Sequence, residues 1–267
     1  MALAEPNQDG ELRYSKRHMD ILRIVREEGT ISVTALAREL GVSSESIRRD
    51  VKPLTTSGAL IKMHGAVTLP HHVLEAPFER RLRENAAAKR QIAKYTASLI
   101  EDGDTLMLDT GTTTSILARE LLRKSHLTVI TNSSDIARTL STVNGNRVYM
   151  AGGELRGDNG AAFGPFAISF IRRFRVRHSI ISIGAIDAIS GPMDHDLAEA
   201  EFGAAILEQG EITTVITDHT KFGRSGLVNV CGFESFQNLI TDKVPPADIA
   251  KKLQEAEIKV HLAQSSA

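Results

Sequence analysis

The chain has 267 residues, of which 42% are hydrophobic and 24% are charged, and its formal net charge is −1 at pH 7. This length favours one or two domains, and the composition is typical of a globular protein with a sizeable core. The near-zero charge gives no global basic field, so any binding of nucleic acid needs a local basic surface.

Two further features narrow the class of protein. No apolar run approaches the roughly 18 residues of a membrane span, and the first residues lack the basic and apolar segments of a secretory signal. The single cysteine, Cys231, excludes an internal disulfide and has no neighbouring pattern of metal ligands. We therefore expect a cytoplasmic protein without membrane attachment, metal or cofactor.

Residues 12–70 are predicted to form short helices followed by a small β-hairpin. Met19, Leu22 and Val25 recur at helical spacing, and Gly29 is a typical helix stop, so we expect a first amphipathic helix here. Two more short helices flank Gly41. A glycine-containing turn between two short helices is the signature of a helix-turn-helix.

The third of these helices is the candidate recognition helix. Ile47, Val51 and Leu54 fall on one helical face, which we expect to be buried, while Pro53 is expected to bend or shorten the last turn. The outward serine hydroxyls and basic side chains suit phosphates and guanine edges. The predicted DNA contacts on this helix are Ser43, Ser44, Ser46, Arg48, Arg49 and Lys52. The alternative is the solvated charged face of an ordinary helical bundle.

A wing is predicted after this helix, because the sequence alternates briefly around Gly58 and Gly65 as a hairpin would. Lys62 and His64 precede the Gly65 turn, and we expect them to contact backbone phosphates; an exposed hairpin tip without a ligand is the alternative. The prolines and polar residues of 71–88 predict a linker.

Residues 89–264 are predicted to form a second domain of a different kind. Apolar strands such as "DTLMLD", "LTVIT", "SIISIG" and "ITTVIT" alternate with helices such as "TSILARELLRK" and "LAEAEFGAAILE". This alternation is typical of a mostly parallel, doubly wound α/β sheet. The overall fold class is therefore α/β, with an N-terminal winged helix-turn-helix.

Small and polar residues follow several of these strands. Ligands of parallel sheets gather at the carboxyl ends of strands, so these positions predict a crevice for a polyhydroxylated anion. The candidate effector-binding residues at strand ends are Asp109, Thr131, Asn132, Gly152, Gly153, Asp187 and Asp218.

The turn "DTGTTT" adds a candidate anion site, because it joins an apolar strand to a helix N-terminus. Gly111 shapes this turn, while Thr112, Thr113 and Thr114 add hydroxyl donors. The sequence does not contain the nucleotide-binding pattern G-x-x-x-x-G-K-[ST]. A capping turn without a ligand is the alternative.

Four arginines, Arg172, Arg173, Arg175 and Arg177, crowd the stretch "FIRRFRVRH". We interpret them as a solvated helix face with a role at an interface; a second DNA contact is the alternative.

These motifs together resemble a known family. "VSSESIRRDVKPL" followed by "HGA" resembles the N-terminal signature of the DeoR family of bacterial transcription regulators. "DTGTTT", "VITNS", "AGGELR", "GAID" and "TDHTKFGR" resemble the sensor domain of that family in order and spacing. The resemblance covers residues 12–261 and is greatest to the branch that contains glycerol-3-phosphate repressors.

The resemblance implies a repressor of a carbohydrate or polyol operon. It would bind double-stranded operator DNA and a phosphorylated sugar or polyol, and its sensor domain would be similar in fold to ribose-5-phosphate isomerase. Lys221 would contact the phosphate and Asp218 a hydroxyl group. Because helix-turn-helix proteins bind paired half-sites, we expect a homo-oligomer, either a dimer or a tetramer.

Two other functions remain open. A sugar-phosphate isomerase with an accessory DNA-binding domain is disfavoured, because Ala188 follows Asp187 where such enzymes carry a glutamate. We therefore predict a protein that is not an enzyme. An interaction module without a small ligand is the other alternative.

Overall fold

The structure, a computed structural model, describes residues 15–28, 30–57, 59–63, 65–68 and 76–263. The chain divides into two compact units, Met1–Arg81 and Leu82–Ala267. This division falls inside the predicted linker 71–88, and the predicted limits of the two domains stay a prediction. None of the helices in the described part of the chain combines the length and the apolar composition needed to cross a bilayer.

The first unit is a winged helix-turn-helix. Its elements are α1 (Lys16–Glu28), β1 (Thr30–Ser32), α2 (Val33–Glu39), α3 (Ser44–Thr56), β2 (Ile61–Met63) and β3 (Ala66–Thr68), and α4 (Phe78–Arg83) crosses the division. The three strands form an antiparallel sheet in the order β1-β3-β2. Gly65 adopts a left-handed φ of 82°, which permits the tight β2–β3 turn.

One expectation for the helices of this unit is wrong, and the expected effect of Pro53 on the last turn of α3 stays a prediction. Met19 is 56% exposed, and the residues of α1 that enter the core are Ile21, Ile24 and Val25, so the buried face of α1 is displaced from the predicted one. Pro53 does not end α3, which continues to Thr56. The helix tolerates this proline because its buried face, including Leu54, still packs into the core.

Serine caps fix where α2 and α3 begin. The Ser32 and Ser43 hydroxyls accept hydrogen bonds from the backbone N–H groups of Ala35 and Ser46, at 3.0 and 3.1 Å. Ile47, Val51 and Leu54 are buried, so the predicted inner face of α3 is confirmed.

The second unit is a doubly wound α/β domain. Its helices are α5 (Ala86–Ser98), α6 (Thr112–Glu120), α7 (Ser134–Leu140), α8 (Pro165–Ile171), α9 (Leu197–Leu207) and α10 (Ala247–Glu255). Its strands are β4 (Thr105–Leu108), β5 (Thr128–Thr131), β6 (Arg147–Met150), β7 (Val176–Ser182), β8 (Ala185–Asp187), β9 (Gly191–Asp194), β10 (Gly210–Ile216), β11 (Val228–Asn229), β12 (Asn238–Thr241) and β13 (Lys259–Leu262).

Seven of these strands form a parallel sheet in the order β13-β12-β10-β7-β4-β5-β6. The chain winds outward from β4 through β5 and β6, then returns to β7 on the other side of β4. The winding therefore reverses between β4 and β7, which is where doubly wound sheets bind ligands. Apolar clusters cover both faces of the sheet. The predicted fold class is confirmed.

Three features of this unit differ from or exceed the prediction. Strands β8, β9 and β11 form a separate antiparallel sheet, in the order β11-β9-β8, and α10 was not predicted. The four arginines do not share a helix face: α8 ends at Ile171, and Arg177 lies within β7. The predicted helix-face interpretation of this run is therefore wrong, because the run crosses from a helix end into a strand.

Candidate functional site

The outward face of α3 carries most of the predicted DNA contacts. Arg48, Arg49 and Lys52 are exposed, and Ser44 is half-buried. Arg48 lies 3.3 Å from Glu45, with side chains 60% and 83% exposed, so this ion pair contributes little and leaves the guanidinium accessible. The resulting surface is a local concentration of cationic donors on a helix of a nearly neutral chain.

The predicted serine and wing contacts are placed differently. Ser43 is the N-cap of α3, and its hydroxyl lies 3.0 Å from that of Ser46, so both hydroxyls already have partners. Lys62 is exposed on β2, whereas His64 lies outside the described residues.

An ion pair that the sequence analysis missed holds α3 against α1. Asp50, whose side chain is 12% exposed, accepts hydrogen bonds from Nε and Nη2 of Arg17 at 2.5 and 3.1 Å. The Asp50 carboxylate raises the pKa of the Arg17 guanidinium. A carboxylate on the inner side of α3 needs such a partner, because a buried unpaired charge is costly.

In the second unit, Asp109 links β4 to β7 by hydrogen bonds, at the point where the winding of the sheet reverses. It directly follows β4, and its Oδ2 accepts hydrogen bonds from the backbone N–H and the hydroxyl of Ser182, at 2.9 and 3.2 Å. Ser182 is the last residue of β7. The Asp109 carboxyl group therefore lies at the carboxyl edge of the sheet, between β4 and β7.

Asp109 is an unusual carboxyl group because it is buried and no side chain in the described part of the chain supplies a countercharge to it. The residue is 8% exposed, and its Oδ1 has no hydrogen-bond partner among the described residues. Burial raises the pKa of Asp109 to about 7, against hydrogen bonds from Ser182 that lower it, and the negative charge of Asp194 raises it further. Near neutral pH the carboxyl group is therefore partly protonated, and it can donate a hydrogen bond in its protonated form and accept hydrogen bonds in its ionised form.

Other buried polar atoms collect at the same edge. Among the described residues, seven buried side-chain nitrogen or oxygen atoms have no hydrogen-bond partner. Six of them follow or end parallel strands or lie in the first turn of α6: Asp109 Oδ1, Thr110 Oγ1, Ser115 Oγ, Asn132 Oδ1, Thr217 Oγ1 and Thr241 Oγ1. Buried polar groups normally have partners, so this concentration is what a hydroxyl-rich ligand or ordered water would satisfy.

The threonines that begin α6 have different surroundings. Thr112, Thr113 and Thr114 are all buried. The Thr114 hydroxyl lies 3.2 and 3.0 Å from the carbonyl oxygens of Asp109 and Gly111, to which it donates, so it closes the turn. Gly111 lies so near β7 that an added Cβ would come within 1.8 Å of Ser182 Oγ and 3.1 Å of Ser182 Cβ.

We expect Gly111→Ala to lower the free energy of unfolding by about 1–2 kcal/mol, because overpacking displaces neighbours and rotation of the Ser182 hydroxyl relieves only part of the strain. Adding Ser182→Ala should recover much of the loss, since it removes the atom in the closest contact. Calorimetric unfolding of both single variants and the double variant measures the coupling. Strictly additive effects would contradict the predicted contact.

The predicted site residues at the ends of β5 and β6 differ in their exposure. Thr131 and Asn132 are fully buried; Thr131 Oγ1 accepts from the Ser133 N–H at 3.1 Å, and Asn132 Nδ2 donates to the Ala162 carbonyl at 2.9 Å. Asn132 thus keeps Oδ1 for another donor. Gly152 and Gly153 follow β6 and are exposed.

The predicted placement of Asp187 at a parallel strand end is wrong. It ends β8 of the antiparallel sheet, where its Oδ1 accepts from the N–H groups of Ile189 and Ser190 at 2.8 and 2.6 Å. Ser225 donates to its other oxygen at 3.2 Å. These hydrogen bonds, the Ser190 N–H foremost, lower the pKa of Asp187. Asp187 therefore stabilises a hairpin turn.

Asp218 and Lys221 lie in a tight turn after β10. Asp218 is 2% exposed and accepts from the N–H and the hydroxyl of Thr220, at 3.1 and 2.6 Å. Lys221 is half-buried at the end of the 3-10 turn His219–Lys221. His219 Nδ1 lies 2.6 Å from Asp242 Oδ2, in keeping with a structural histidine. The turn therefore presents Lys221 at the same edge as Asp109.

The sequence analysis also missed the ion pairs of Arg156. Arg156 follows the "AGGEL" loop and lies 2.9 Å from Asp196 and 3.5 Å from Glu199, both at the start of α9. Its guanidinium also lies 4.4 Å from the centroid of the Phe163 ring. Arg156 therefore fastens this loop to α9 through two ion pairs.

No group of three or more histidine, cysteine, aspartate or glutamate side chains in the described ranges is arranged to hold a metal ion.

The sequence is similar to known families and proteins over nearly its whole length. The family described as "DeoR-like helix-turn-helix domain" matches residues 17–73, and "DeoR C terminal sensor domain" matches residues 84–243. The chain is 32% identical to the glycerol-3-phosphate regulon repressor of Escherichia coli K12, over 94% of this chain and 100% of that protein. It is 33% identical to the transcriptional repressor CsqR of the same organism, over 96% and 98% of the two chains.

A third relative and two solved structures are more distant. The transcriptional regulator IolR of Bacillus subtilis is 27% identical over 92% of this chain and 98% of that protein. A probable sor operon regulator of Shigella flexneri has a TM-score of 0.40 at 13% identity, over 69% and 86% of the two chains. Ribose 5-phosphate isomerase A of Methanocaldococcus jannaschii has a TM-score of 0.38 at 14% identity, over 52% and 55%. TM-scores this low carry no argument about function.

Proposed function

The chain belongs to the DeoR family of transcriptional regulators, and we propose that it represses a carbohydrate or polyol operon under the control of a phosphorylated sugar or polyol. In this proposal the first unit binds operator DNA and the second binds the effector. Both steps take place in the bacterial cytoplasm, and a homo-oligomer supplies paired recognition helices to the operator.

The operator-binding role is supported by the surface of α3. Arg48, Arg49 and Lys52 are exposed on a helix whose inner face is buried and whose position is fixed by Asp50 and Arg17. A rigid helix with cationic donors suits the major groove, where arginine contacts guanine edges and lysine contacts phosphates.

We expect Arg49→Ala to weaken operator binding at least about fivefold, equivalent to about 1 kcal/mol for one lost contact. Arg23→Ala is a matched control, because Arg23 is an exposed arginine on α1 in an ion pair with Glu27. Operator binding measured at several salt concentrations separates a phosphate contact from a base contact. Equal effects of the two substitutions would contradict the assignment of α3.

The effector role rests on one observation above all: the unpartnered buried polar atoms at the carboxyl edge. Asp109 Oδ1, Asn132 Oδ1, Thr217 Oγ1 and Thr241 Oγ1 follow or end four strands of one sheet. A polyhydroxylated ligand offers several donors and acceptors to such a set. Lys221 and the N-terminus of α6 supply positive charge for a phosphate at the same edge.

Binding without turnover is favoured by the state of the two carboxylates that an isomerase-like site would use. Asp187 accepts two backbone N–H groups and a serine hydroxyl, and Asp218 is held by Thr220. A general base must reach a substrate proton with its own acceptor positions available. These hydrogen bonds reach both oxygens of Asp187 and fix it as the cap of its turn, whereas those of Asp218 reach only its Oδ1.

The test uses the full chain and DNA selected by it from a random library. Glycerol 3-phosphate and a panel of sugar phosphates are added to the protein–DNA complex, with the unphosphorylated compounds as controls. We expect one phosphorylated compound to release the DNA while remaining chemically unchanged. Failure to enrich any DNA sequence contradicts the operator role, absence of any response contradicts the effector role, and aldose–ketose interconversion would establish the isomerase alternative.

A further inference from the structure

Asn85 occupies an unusual position at the start of the second unit. It lies between α4, which crosses the division between the units, and α5, whose first helical N–H, that of Lys89, donates to the Asn85 carbonyl at 3.0 Å. Its backbone is left-handed, with φ 52° and ψ 30°. Asparagine tolerates this region better than most residues, but the conformation still needs support from its surroundings.

The support comes from a turn distant in sequence. An N-cap asparagine usually accepts a hydrogen bond from its own helix, but the Asn85 side chain makes no such bond. Its Nδ2 instead donates to Thr220 Oγ1 at 3.2 Å and lies 3.4 Å from Asp218 Oδ1. The Thr220 hydroxyl donates to Asp218 at 2.6 Å and so can accept from Asn85 at the same time.

The contacted turn is the one that carries Lys221, whose N–H donates to the Asp218 carbonyl at 3.1 Å. Asp218, Thr220 and Lys221 therefore form one hydrogen-bonded loop, and Asn85 is attached to it. A ligand that displaces this loop must also lengthen or break the Asn85 contacts. Those contacts hold Asn85, the N-cap of α5, which lies four residues after the division between the units.

We propose that Asn85 is a positioning residue through which occupation of the Asp218–Lys221 turn changes the chain that leads to the DNA-binding unit. This proposal rests on the proposed effector site. An effector changes an equilibrium only by binding two states with different affinity. In one state Asn85 is bonded to Thr220, and in the other the turn has closed on the phosphate and Asn85 has lost that bond. Neither the turn nor α5 needs a large movement.

The first test compares Asn85→Gly with a matched control, Asn144→Gly. Glycine keeps the left-handed backbone and removes the amide. Asn144 has a similar φ of 53°, and its Nδ2 donates to the carbonyl oxygens of Leu122 and Lys124, so its substitution removes contacts of the same kind at another turn. The measured quantity is the ratio of operator dissociation constants with and without saturating glycerol 3-phosphate, or the responding compound of the panel above.

Allosteric effectors typically change affinity by about 5- to 150-fold, and we expect Asn85→Gly to reduce that ratio at least threefold. The reduction should come from weaker operator binding without effector, because the variant lacks the bond that stabilises the effector-free state, while operator affinity with saturating effector should stay within about twofold of the parent. Asn144→Gly should leave the ratio unchanged. A ratio unchanged in Asn85→Gly, or reduced equally in both variants, overturns the proposal.

Hydrogen exchange supplies a second test that needs no effector. We expect faster exchange of the amides of residues 218–223 in Asn85→Gly but not in Asn144→Gly, and faster exchange of residues 84–90 in Thr220→Val. A parent protein that responds to no compound contradicts the proposed function, and Asn85 is then judged by exchange alone. Faster exchange confined to these segments supports the link, and unchanged exchange overturns it.

Discussion

Asp109→Asn is expected to stabilise the protein more at pH 8 than at pH 5, by roughly 2–3 kcal/mol in the free energy of unfolding. The parent binds a proton at Asp109 with a pKa of about 7, against 3.8 for an ordinary aspartate. The folded state therefore holds a proton that the unfolded state has already released. The stability that Asp109 contributes is fully present below its pKa in the unfolded chain, and it is lost as the pH rises through its pKa in the folded protein.

Asparagine has the same shape as aspartate and no charge, so the variant does not lose this stability as the pH rises. Its amide oxygen can still accept from the Ser182 N–H, which keeps the contact between β4 and β7. Calorimetric unfolding of both proteins at pH 5 and pH 8 measures the difference. For a unit of this size, roughly 2–4 °C per kcal/mol is expected, so the change in melting temperature is readily resolved.

Asp187→Asn is the matched control. Hydrogen bonds from the backbone lower the pKa of Asp187, so its contribution is lost only when pH falls through that lowered value. Between pH 5 and pH 8 the effect of this substitution should be constant. A pH-independent effect of Asp109→Asn would mean that the carboxyl group is ionised throughout, and that water or a neighbouring donor solvates Oδ1.

The sequence predicted the general position of Asp109 but not its state. An acidic residue after an apolar strand marks the edge of a parallel sheet, and that inference needs only local pattern. Its burial depends on β7, which lies beside β4 although Ser182 is 73 residues away. Thr217 and Thr241 could have been found by the same rule, since each is polar and lies at or just after the end of an apolar strand.

Asp187 and Met19 show why local pattern fails. "GAID" is an apolar stretch with a terminal acid, as parallel strands often are, but a turn of three residues returns the chain antiparallel through β9. Met19 has helical spacing with Leu22, yet the face of α1 is chosen by contacts with the rest of the core, where Ile21 and Ile24 are buried. Tertiary packing determines both the strand pairing of Asp187 and the buried face of α1, and a single sequence does not contain that information.

The other prediction of large effect is that Lys221→Met abolishes the response to a phosphorylated effector and leaves operator binding intact. Lys221 lies in the turn after β10, and Asp218 is the N-cap of this turn. The turn therefore holds the lysine at the edge that carries Asp109 and the start of α6. Uncharged N–H and hydroxyl groups alone would leave a phosphate dianion without a countercharge. Arg156, the other cation described above, is held in ion pairs with Asp196 and Glu199 at the start of α9.

Hydrogen bonds to charged groups contribute about 1.5–3 kcal/mol, so effector affinity should fall roughly ten- to over a hundredfold. Methionine keeps much of the lysine stem, and the turn itself is held by Asp218 and Thr220, so folding should change little. Titration calorimetry with the phosphorylated effector and its unphosphorylated form shows whether the lost affinity belongs to the phosphate. Lys251→Met, on an exposed face of α10, is the control for loss of a positive charge.

The comparison of the two ligands decides what Lys221 does. If its charge binds the phosphate, the variant loses its preference for the phosphorylated compound, and its affinity for the unphosphorylated compound stays near that of the parent. If Lys221 only supports the turn, both affinities fall together, because the loop that contacts Asn85 has lost its shape. A variant that binds and responds like the parent would remove Lys221 from the effector site, and the phosphate would then have to lie at the amides that begin α6.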